Sequence, residues 1–401
     1  MEKGNTTMTP TLVQEKSQQA LDILKGLDFD AWILWVRETE QMADPALALV
    51  LGTDLVWQSA LIYTQSGQRI AVVGNFDADG LKPLGVFDKI VPYTQDIQDT
   101  LRKELDALAP KKIGLNYSRD DVSADGLTYG MYNLLSEYLE GTPYAQSFVS
   151  AEPLLLQLRG QKTPEEVRRI EQAIKVTEEI YAEAEEFVKV GQTETEIAQF
   201  FHQRMKAHGV GFAWGADHNP AVDAGPNKGF GHAGATDNLT KEGHLLHFDF
   251  GVRYQGYCSD IQRMFFFGPS SQIPEEIQAA FESVRDAIQA AADFIKPGVQ
   301  GYEVDQIARS FVQERGFEEY QHALGHQVGR ATHDGGTLLG PLWERYGESP
   351  KGIVQPGNVF TLELYVTTEN YGQLSLEEDI LVTETGCRFL SKPQRELICI
   401  S

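Results

Sequence analysis

Cysteine is scarce in this chain: 401 residues contain three, Cys258, Cys387 and Cys399, and no two of them form a CxxC pair. Three isolated thiols cannot all be disulfide-bonded within one chain, which suits a reducing compartment and a cytoplasmic protein. Long hydrophobic runs are missing as well. The longest near the N-terminus, Ala31 to Val36, is far too short to span a bilayer, and Met1 to Gln14 lacks the apolar core of a signal peptide. Basic side chains are few, 34 against 58 acidic ones, for a formal charge of −24. Such a charge repels phosphate backbones and anionic lipid, so neither nucleic acid nor a membrane is expected as a partner. GxSxG, HExxH and Walker A motifs are all absent. The serine-hydrolase, single-zinc protease and P-loop readings therefore lose their usual support.

What remains is an ordinary soluble composition, 42% apolar and 23% charged, in a chain long enough for two domains. Residues 1–155 alternate helical and strand-like stretches: a helix around Leu12 to Leu27, the strand AWILWV, strands at Ala60 to Thr64, Arg69 to Val73 and Ile90 to Tyr93, a helix near Ile97 to Leu108, and a strand from Lys112 to Asn116. This is a small α/β domain whose polar residues show no spacing that carries chemistry. Residues 156–401 form the second domain. Thr163-Pro164-Glu165-Glu166 is a helix start with a capping box, and Thr193 with Glu196 repeats that spacing for a second helix ending near Gly209. The segment beginning at Ala184 then echoes the one beginning at Ala291: Phe187, Lys189, Gly191, Glu196 and Gly209 match Phe294, Lys296, Gly298, Glu303 and Gly316 at one constant offset. Each copy reads as helix, glycine turn, helix, and each precedes a strand hairpin carrying carboxylates, so the domain is expected to be built of two similar halves.

The first hairpin is GHLLHFDFGVRYQGYCSDIQRMFFFG, with its turn at Tyr254-Gln255-Gly256. Alternation puts Leu246, Phe248, Phe250 and Val252 on one face and Asp249 on the other. Asp249 and Asp260 are expected opposite or nearly opposite each other. Two carboxylates about 4 Å apart repel by about 4 kcal/mol at an effective dielectric near 20, so the pair calls for a shared proton, a basic partner or a metal ion. A merely solvated hairpin face is the alternative for any lone pair of this kind. The second hairpin holds a second pair: VFTLELYV and LSLEEDILV flank a turn around Asn370-Tyr371-Gly372, with Glu363 and Glu377 symmetric about Asn370. Glu378 would share the face of Leu374, Leu376, Ile380 and Val382, an odd place for a carboxylate.

Four carboxylates brought together carry about four negative charges, which two divalent cations would neutralise. His326, between glycines in GHQVG and between the two hairpins in sequence, is the nitrogen candidate. Oxygen-rich ligation with one nitrogen favours manganese, iron, cobalt or zinc over a thiolate site.

Asp249, Asp260, His326, Glu363 and Glu377, in that order, resemble the five ligands of the pita-bread metallopeptidases, a family that includes methionine aminopeptidase, aminopeptidase P, prolidase and, without metal, creatinase. FDFG and YCSDIQRMF resemble the two Asp segments, GHQVG the His segment, and TLEL and LEED the two Glu segments. The resemblance implies an α+β chain: a C-terminal pita-bread domain with pseudo-twofold halves, preceded by a smaller creatinase-like α/β domain. It further implies two divalent metal ions, manganese foremost with cobalt, zinc or iron as alternatives. Asp249 would chelate one, His326 and Glu363 the other, with Asp260 and Glu377 bridging. A bridging hydroxide would attack the scissile carbonyl, and Glu363 would shuttle its proton. His232 and His333 match the family's substrate-facing histidines, and a homodimer is the implied assembly.

The implied function is hydrolysis of a dipeptide or of an N-terminal residue next to proline. Two alternatives stay open: turnover of a small non-peptide metabolite on the same fold, and a non-catalytic binding protein. Three positions depart from the proline-cleaving members: Leu364 stands for Pro, Asp334 for the Glu of an HE pair, and Ser375 for Arg.

Overall fold

The computed structural model describes residues 10–226 and 234–400. They divide into two compact units, residues 10–163 and 164–400.

In the first unit the chain runs α1 (Pro10–Leu24), β1 (Ala31–Val36), α2 (Leu47–Val50), β2 (Ser59–Thr64), β3 (Arg69–Gly74), α3 (Asn75–Leu81), β4 (Lys89–Tyr93), α4 (Gln98–Leu108), β5 (Ile113–Leu115), α5 (Tyr129–Tyr138), β6 (Phe148–Ser150) and α6 (Glu152–Gly160). The strands form one mixed sheet in the order β4-β3-β2-β1-β5-β6. Every residue of β1 is buried, as an unbroken apolar run in a sheet covered on both faces should be. Trp32 and Leu34 face α1 and α6, whereas Ile33 and Trp35 face Leu101 and Leu105 of α4 and Met131 and Leu135 of α5. Leu154, Leu155 and Leu158 of α6 belong to the first of these cores. The compact unit consequently runs to Thr163, eight residues past the expected boundary at residue 155.

The second unit opens with α7 (Pro164–Phe187) and α8 (Glu194–His208), followed by β7 (Gly211–Phe212), β8 (Ala221–Ala224), β9 (Leu245–Phe250), β10 (Val252–Tyr254), β11 (Tyr257–Cys258) and β12 (Ile261–Phe267). Then come α9 (Glu275–Phe294), α10 (Gly301–Glu314), β13 (Val359–Thr368), β14 (Gly372–Val382), β15 (Cys387–Phe389) and β16 (Ile398–Ile400). The echo in the sequence is an echo in structure. α7 ends at Phe187 and α9 at Phe294; Gly191 and Gly298 both take positive φ, 89° and 95°. Thr193 with Glu196, and Gln300 with Glu303, each close a capping box. Gly191 then donates to the Thr240 carbonyl and Gly298 to that of Val354, and those acceptors lie nine residues before Asp249 and Glu363 respectively.

Each helix pair covers the apolar face of its own hairpin. Tyr181 of α7 and Phe201 of α8 pack edge-on and tilted against Phe248 and Phe250 of β9, and Val284, Ile288, Val304 and Ala308 of α9 and α10 share a core with Leu362, Leu364, Leu376 and Ile380. Burying one such side chain contributes about 1.5–3 kcal/mol. Alternation then sends the intervening residues of both hairpins toward a common interior.

Glu378 is on the apolar-patterned face because an arginine waits there. Arg263 of β12, itself buried, binds Glu378 through both guanidinium nitrogens at 3.0 and 3.1 Å, and Ser391 and the Gln394 amide also donate to it. Replacing Arg263 by Met should leave a buried carboxylate without its cation and cost about 3–5 kcal/mol. The double variant R263M/E378Q should recover part of that loss. Chemical denaturation of the three proteins checks both; a single variant as stable as wild type would remove the pair from the fold's supports.

Candidate metal centre

The candidate side chains reach one place by strand register. In the first hairpin β9 and β12 pair antiparallel, with Asp249 across from Gln262 and Phe250 across from Ile261. Asp260 therefore lies two pairs along from Asp249 where direct opposition was expected, diagonal to it on the same face. The cause is the turn: Tyr254 pairs with Tyr257, and Gln255 and Gly256 take positive φ, 46° and 84°. Two left-handed residues make a two-residue hairpin loop centred half a residue later than Tyr254-Gln255-Gly256 suggests. Gly251, opposite Asp260, lets the strands close up there: a Cβ would sit 2.0 Å from the Ser259 carbonyl oxygen. The second hairpin follows the expected register, Glu363 directly across from Glu377 about a turn at Asn370.

His326 arrives along the edge of β13. Glu363 donates its N–H to the Leu324 carbonyl, Thr361 to that of His326, and Val328 to that of Val359. Gly325 makes this approach feasible, since a Cβ there would meet the Thr361 carbonyl oxygen at 2.0 Å. β12 and β14 join the two halves: the Asp260 amide donates to Oδ2 of Asp379 at 3.2 Å.

Asp260, His326 and Glu377 each offer a ligand atom within 4.8 Å of the others. Nε2 of His326 lies 3.6 Å from Oδ2 of Asp260 and 3.5 Å from Oε1 of Glu363, while its Nδ1 faces the Gln327 carbonyl at 3.4 Å. A carbonyl only accepts, so Nδ1 carries the proton and Nε2 turns a lone pair toward two carboxylates. Burial, with His333 adding to it, holds the imidazole neutral by lowering its pKa to about 3. Both carboxylate oxygens of Glu377 are buried with no hydrogen-bond donor among the described residues. Burial first, and then the charges of Asp260, Glu363 and Asp249, push its pKa well up. Asp260 is raised in the same way by burial and by Asp249, Glu363 and Asp379, and Glu363 to about 8 by burial and Asp249. Oxygen and nitrogen lone pairs converging without a donor are what a divalent cation would satisfy, so these residues fit a metal centre.

Of the remaining expected residues, Asp249 joins the cluster through its interaction with Asp260. His333 is exposed, its ring edge-on to that of His326 at 4.3 Å between centroids. His232 lies outside the described residues. Sequence reasoning missed Asp379 and Gln262. Asp379 is fully buried, and alternation from Glu377 would have placed it on the ligand face. Gln262, two residues after Asp260, donates to Glu363 at 3.0 Å; as an uncharged residue between two charged ones it gave no signal.

Comparison with known proteins agrees with this arrangement. The model of metallopeptidase family M24 matches residues 168–384. An Xaa-Pro dipeptidase of Pyrococcus horikoshii is 30% identical over 267 residues, 65% of this chain and 71% of that protein. An uncharacterized peptidase of Bacillus subtilis is 28% identical over 314 residues, 78% of this chain and 82% of that protein. Among solved structures, an X-Pro aminopeptidase from Thermotoga maritima superposes with a TM-score of 0.71 at 23% identity, over 96% of this chain and 99% of that one, a likeness of fold.

The shifted groups give the metal-free protein a defined pH response. A carboxyl whose folded pKa is raised contributes stability that is complete below its unfolded value and lost as pH climbs through the folded one. For Glu363 that interval runs from about 4.5 to about 8. His326, lowered from 6.5 to about 3, acts oppositely, and its contribution is complete above 6.5. Chelator-treated protein should accordingly lose stability from pH 6.5 to 8, and saturating Mn²⁺ should flatten the trend. Denaturation midpoints across that interval check this; a metal-free protein that held level or gained stability would contradict the buried acid cluster.

Proposed function

The chain belongs to metallopeptidase family M24, and from that premise we propose that it is a dinuclear peptidase that splits Xaa-Pro dipeptides or removes an N-terminal residue preceding proline. The observation that carries the metal reading is Glu377, whose buried oxygens have no donor among the described residues and lie with Asp260 and His326. Asp249, Asp260, His326, Glu363 and Glu377 would hold two divalent ions. Manganese is favoured by the oxygen-rich set, with cobalt, zinc and iron as alternatives. When bound, such a pair supplies Lewis-acid polarisation of the scissile carbonyl and acidifies a water.

The protein's own groups do the rest. Glu363 presents Oε1 toward the cluster and is the carboxylate placed to accept the nucleophile's proton and return it to the leaving nitrogen. His333, exposed beside His326, and His232 are assigned to hold the substrate and to donate to the oxygen that gains charge. The net charge of −24 supports a small peptide as the partner in preference to nucleic acid. The three thiols are free, and no helix among the described residues is long and apolar enough to cross a membrane; we assign the protein to the cytoplasm, as a homodimer.

A second reading rests on the three departures. Leu364 is buried in the core, Asp334 accepts from the Ala331 amide within its own loop, and Ser375 bonds Gln262. With none of the three side chains of the proline-cleaving pattern in place, a small non-peptide metabolite is the alternative substrate. Assaying Xaa-Pro dipeptides, longer Xaa-Pro peptides and dipeptides without proline, each with Mn²⁺, Co²⁺ and Zn²⁺, decides between them; turnover of none of the peptides with any metal would reject the peptidase assignment. Sedimentation giving only a 44.7 kDa monomer would remove the dimer.

Asp260→Asn should abolish metal-dependent hydrolysis while leaving the apo protein as stable as wild type or more so. An amide supplies one weak donor atom and no charge, yet its substitution relieves repulsion in the cluster. Metal analysis paired with melting curves with and without Mn²⁺ checks it. Wild-type occupancy and an undiminished metal-induced rise in melting temperature would mean that Asp260 is not a ligand.

A further inference from the structure

Behind the cluster lies a chain of buried polar side chains that the metal reading does not use. Gln262 of β12 donates from Nε2 to Oε2 of Glu363 at 3.0 Å. Its Oε1 accepts from Ser375 Oγ at 2.5 Å and faces Nε2 of His247 at 3.0 Å. Nδ1 of His247 meets Oδ2 of Asp223 at 3.1 Å, and the Ser375 hydroxyl also touches the Leu364 carbonyl at 3.1 Å. Asp223, His247, Gln262 and Ser375 are all buried. They come from β8, β9, β12 and β14, four strands drawn from both halves of the unit.

The orientation of the amide follows from its neighbours. Glu363 offers a carboxylate oxygen, an acceptor, so the NH₂ of Gln262 points to it and Oε1 points away. That puts a proton on Nε2 of His247 and needs a second one between Nδ1 and the Asp223 carboxyl, 3.1 Å apart. Turned the other way, the amide would set its oxygen against the carboxylate of Glu363. Glu363 is thus gripped by one oxygen. Its other oxygen, Oε1, is the one 3.5 Å from Nε2 of His326.

We infer that Gln262 is a positioning residue for Glu363: clamped by Ser375 and His247, it holds Oε2 and leaves Oε1 alone to serve the metal centre. The inference rests on the proposed role of Glu363 as a ligand and proton carrier. A carboxylate gripped in this way offers a cation one oxygen in a fixed direction, and outer partners of that kind commonly change metal affinity 10- to 100-fold when lost. Released, it can rotate and present both oxygens to one ion, which weakens the pairing of the two.

The test uses Gln262→Met, close in shape but without donor or acceptor, and Ser375→Ala, which loosens the clamp and spares the Gln262–Glu363 bond. Each is titrated with Mn²⁺ by calorimetry, the paramagnetic resonance spectrum of the loaded protein is recorded, and kcat and KM are measured separately. For Q262M the expectation is a 10- to 100-fold loss of affinity at the weaker site, an altered spectrum of the coupled Mn²⁺ pair, and a fall in kcat with KM little changed. S375A should show the same changes at a few-fold scale. A residue that only filled space would shift the melting temperature and leave the spectrum and both Mn²⁺ constants alone; that result for Q262M overturns the inference. Should Q262M fail to fold, S375A decides, and wild-type constants and spectrum there overturn it. A wild-type protein that takes up no Mn²⁺ would instead remove the ligand role of Glu363, and the inference with it, whereas two tightly bound ions unaffected by Q262M would remove the inference alone.

Discussion

Like charge buried together without a counter-charge is the constraint on which the second unit is built. Among the described residues, Asp260, Glu363 and Glu377 make no ion pair with lysine or arginine, and the one guanidinium close by, that of Arg263, is engaged with Glu378 on the other face of β14. Ionised, each close pair would cost about 4 kcal/mol in surroundings of intermediate dielectric, and the desolvation of each carboxylate would add to this, so Asp260, Glu363 and Glu377 keep their protons to higher pH than free carboxyls do. A strand carrying such residues holds its place only if something else fixes it. The helix pairs supply that: α7 with α8, and α9 with α10, bury the alternate residues of the same strands. β9 and β13 are in this sense two-sided, apolar contact on one face stabilising them against the repulsion on the other.

The backbone makes the approach to the cluster as tightly specified as the side chains do. Gly251 and Gly325 each stand where a Cβ would come within 2.0 Å of a carbonyl oxygen. The first allows β12 to draw Asp260 in beside Asp249; the second lets the segment bearing His326 run against the edge of β13. Their effect is to set the spacing at which Nε2 of His326 stands about equally far from Asp260 and Glu363.

Much of this was legible because it is periodic. Alternation in VFTLELYV and the symmetry about Asn370 were enough to place Glu363 opposite Glu377, the constant offset between the helix pairs located both glycine turns, and the spacing of Thr193 and Glu196 located the capping box of α8. Legibility failed where geometry is set by a few dihedral angles or by partners distant in sequence. The two positive-φ residues Gln255 and Gly256 set Asp260 two pairs along from Asp249, a register that Gln-Gly does not announce as Asn-Gly would. The place of Glu378 depends on Arg263 in another hairpin, and that of α6 on leucines whose partners lie in α1 and the central sheet. Gln262 carries no charge, and only the approach of β12 to Glu363 makes it a partner.

The departures from the proline-cleaving pattern separate two properties that the family resemblance joins. Leu364 follows Glu363, but in a strand that places it on the opposite face, inside the core shared with α9 and α10; a residue there shapes packing and does not reach the ligand side. Asp334 accepts the Ala331 amide, and its own amide donates to the Gln327 carbonyl, so it holds the loop that follows His326 in shape. Ser375 alone connects to the cluster, through Gln262. The donor atoms are thus fixed by strand register and by the glycines, neither of which the departures disturb. What they alter lies behind the candidate ligands and in the loop bearing His333. Leu364 and Asp334 thus leave the candidate metal cluster to the two hairpins, Ser375 bears on it through Gln262, and substrate preference has to be established by assay.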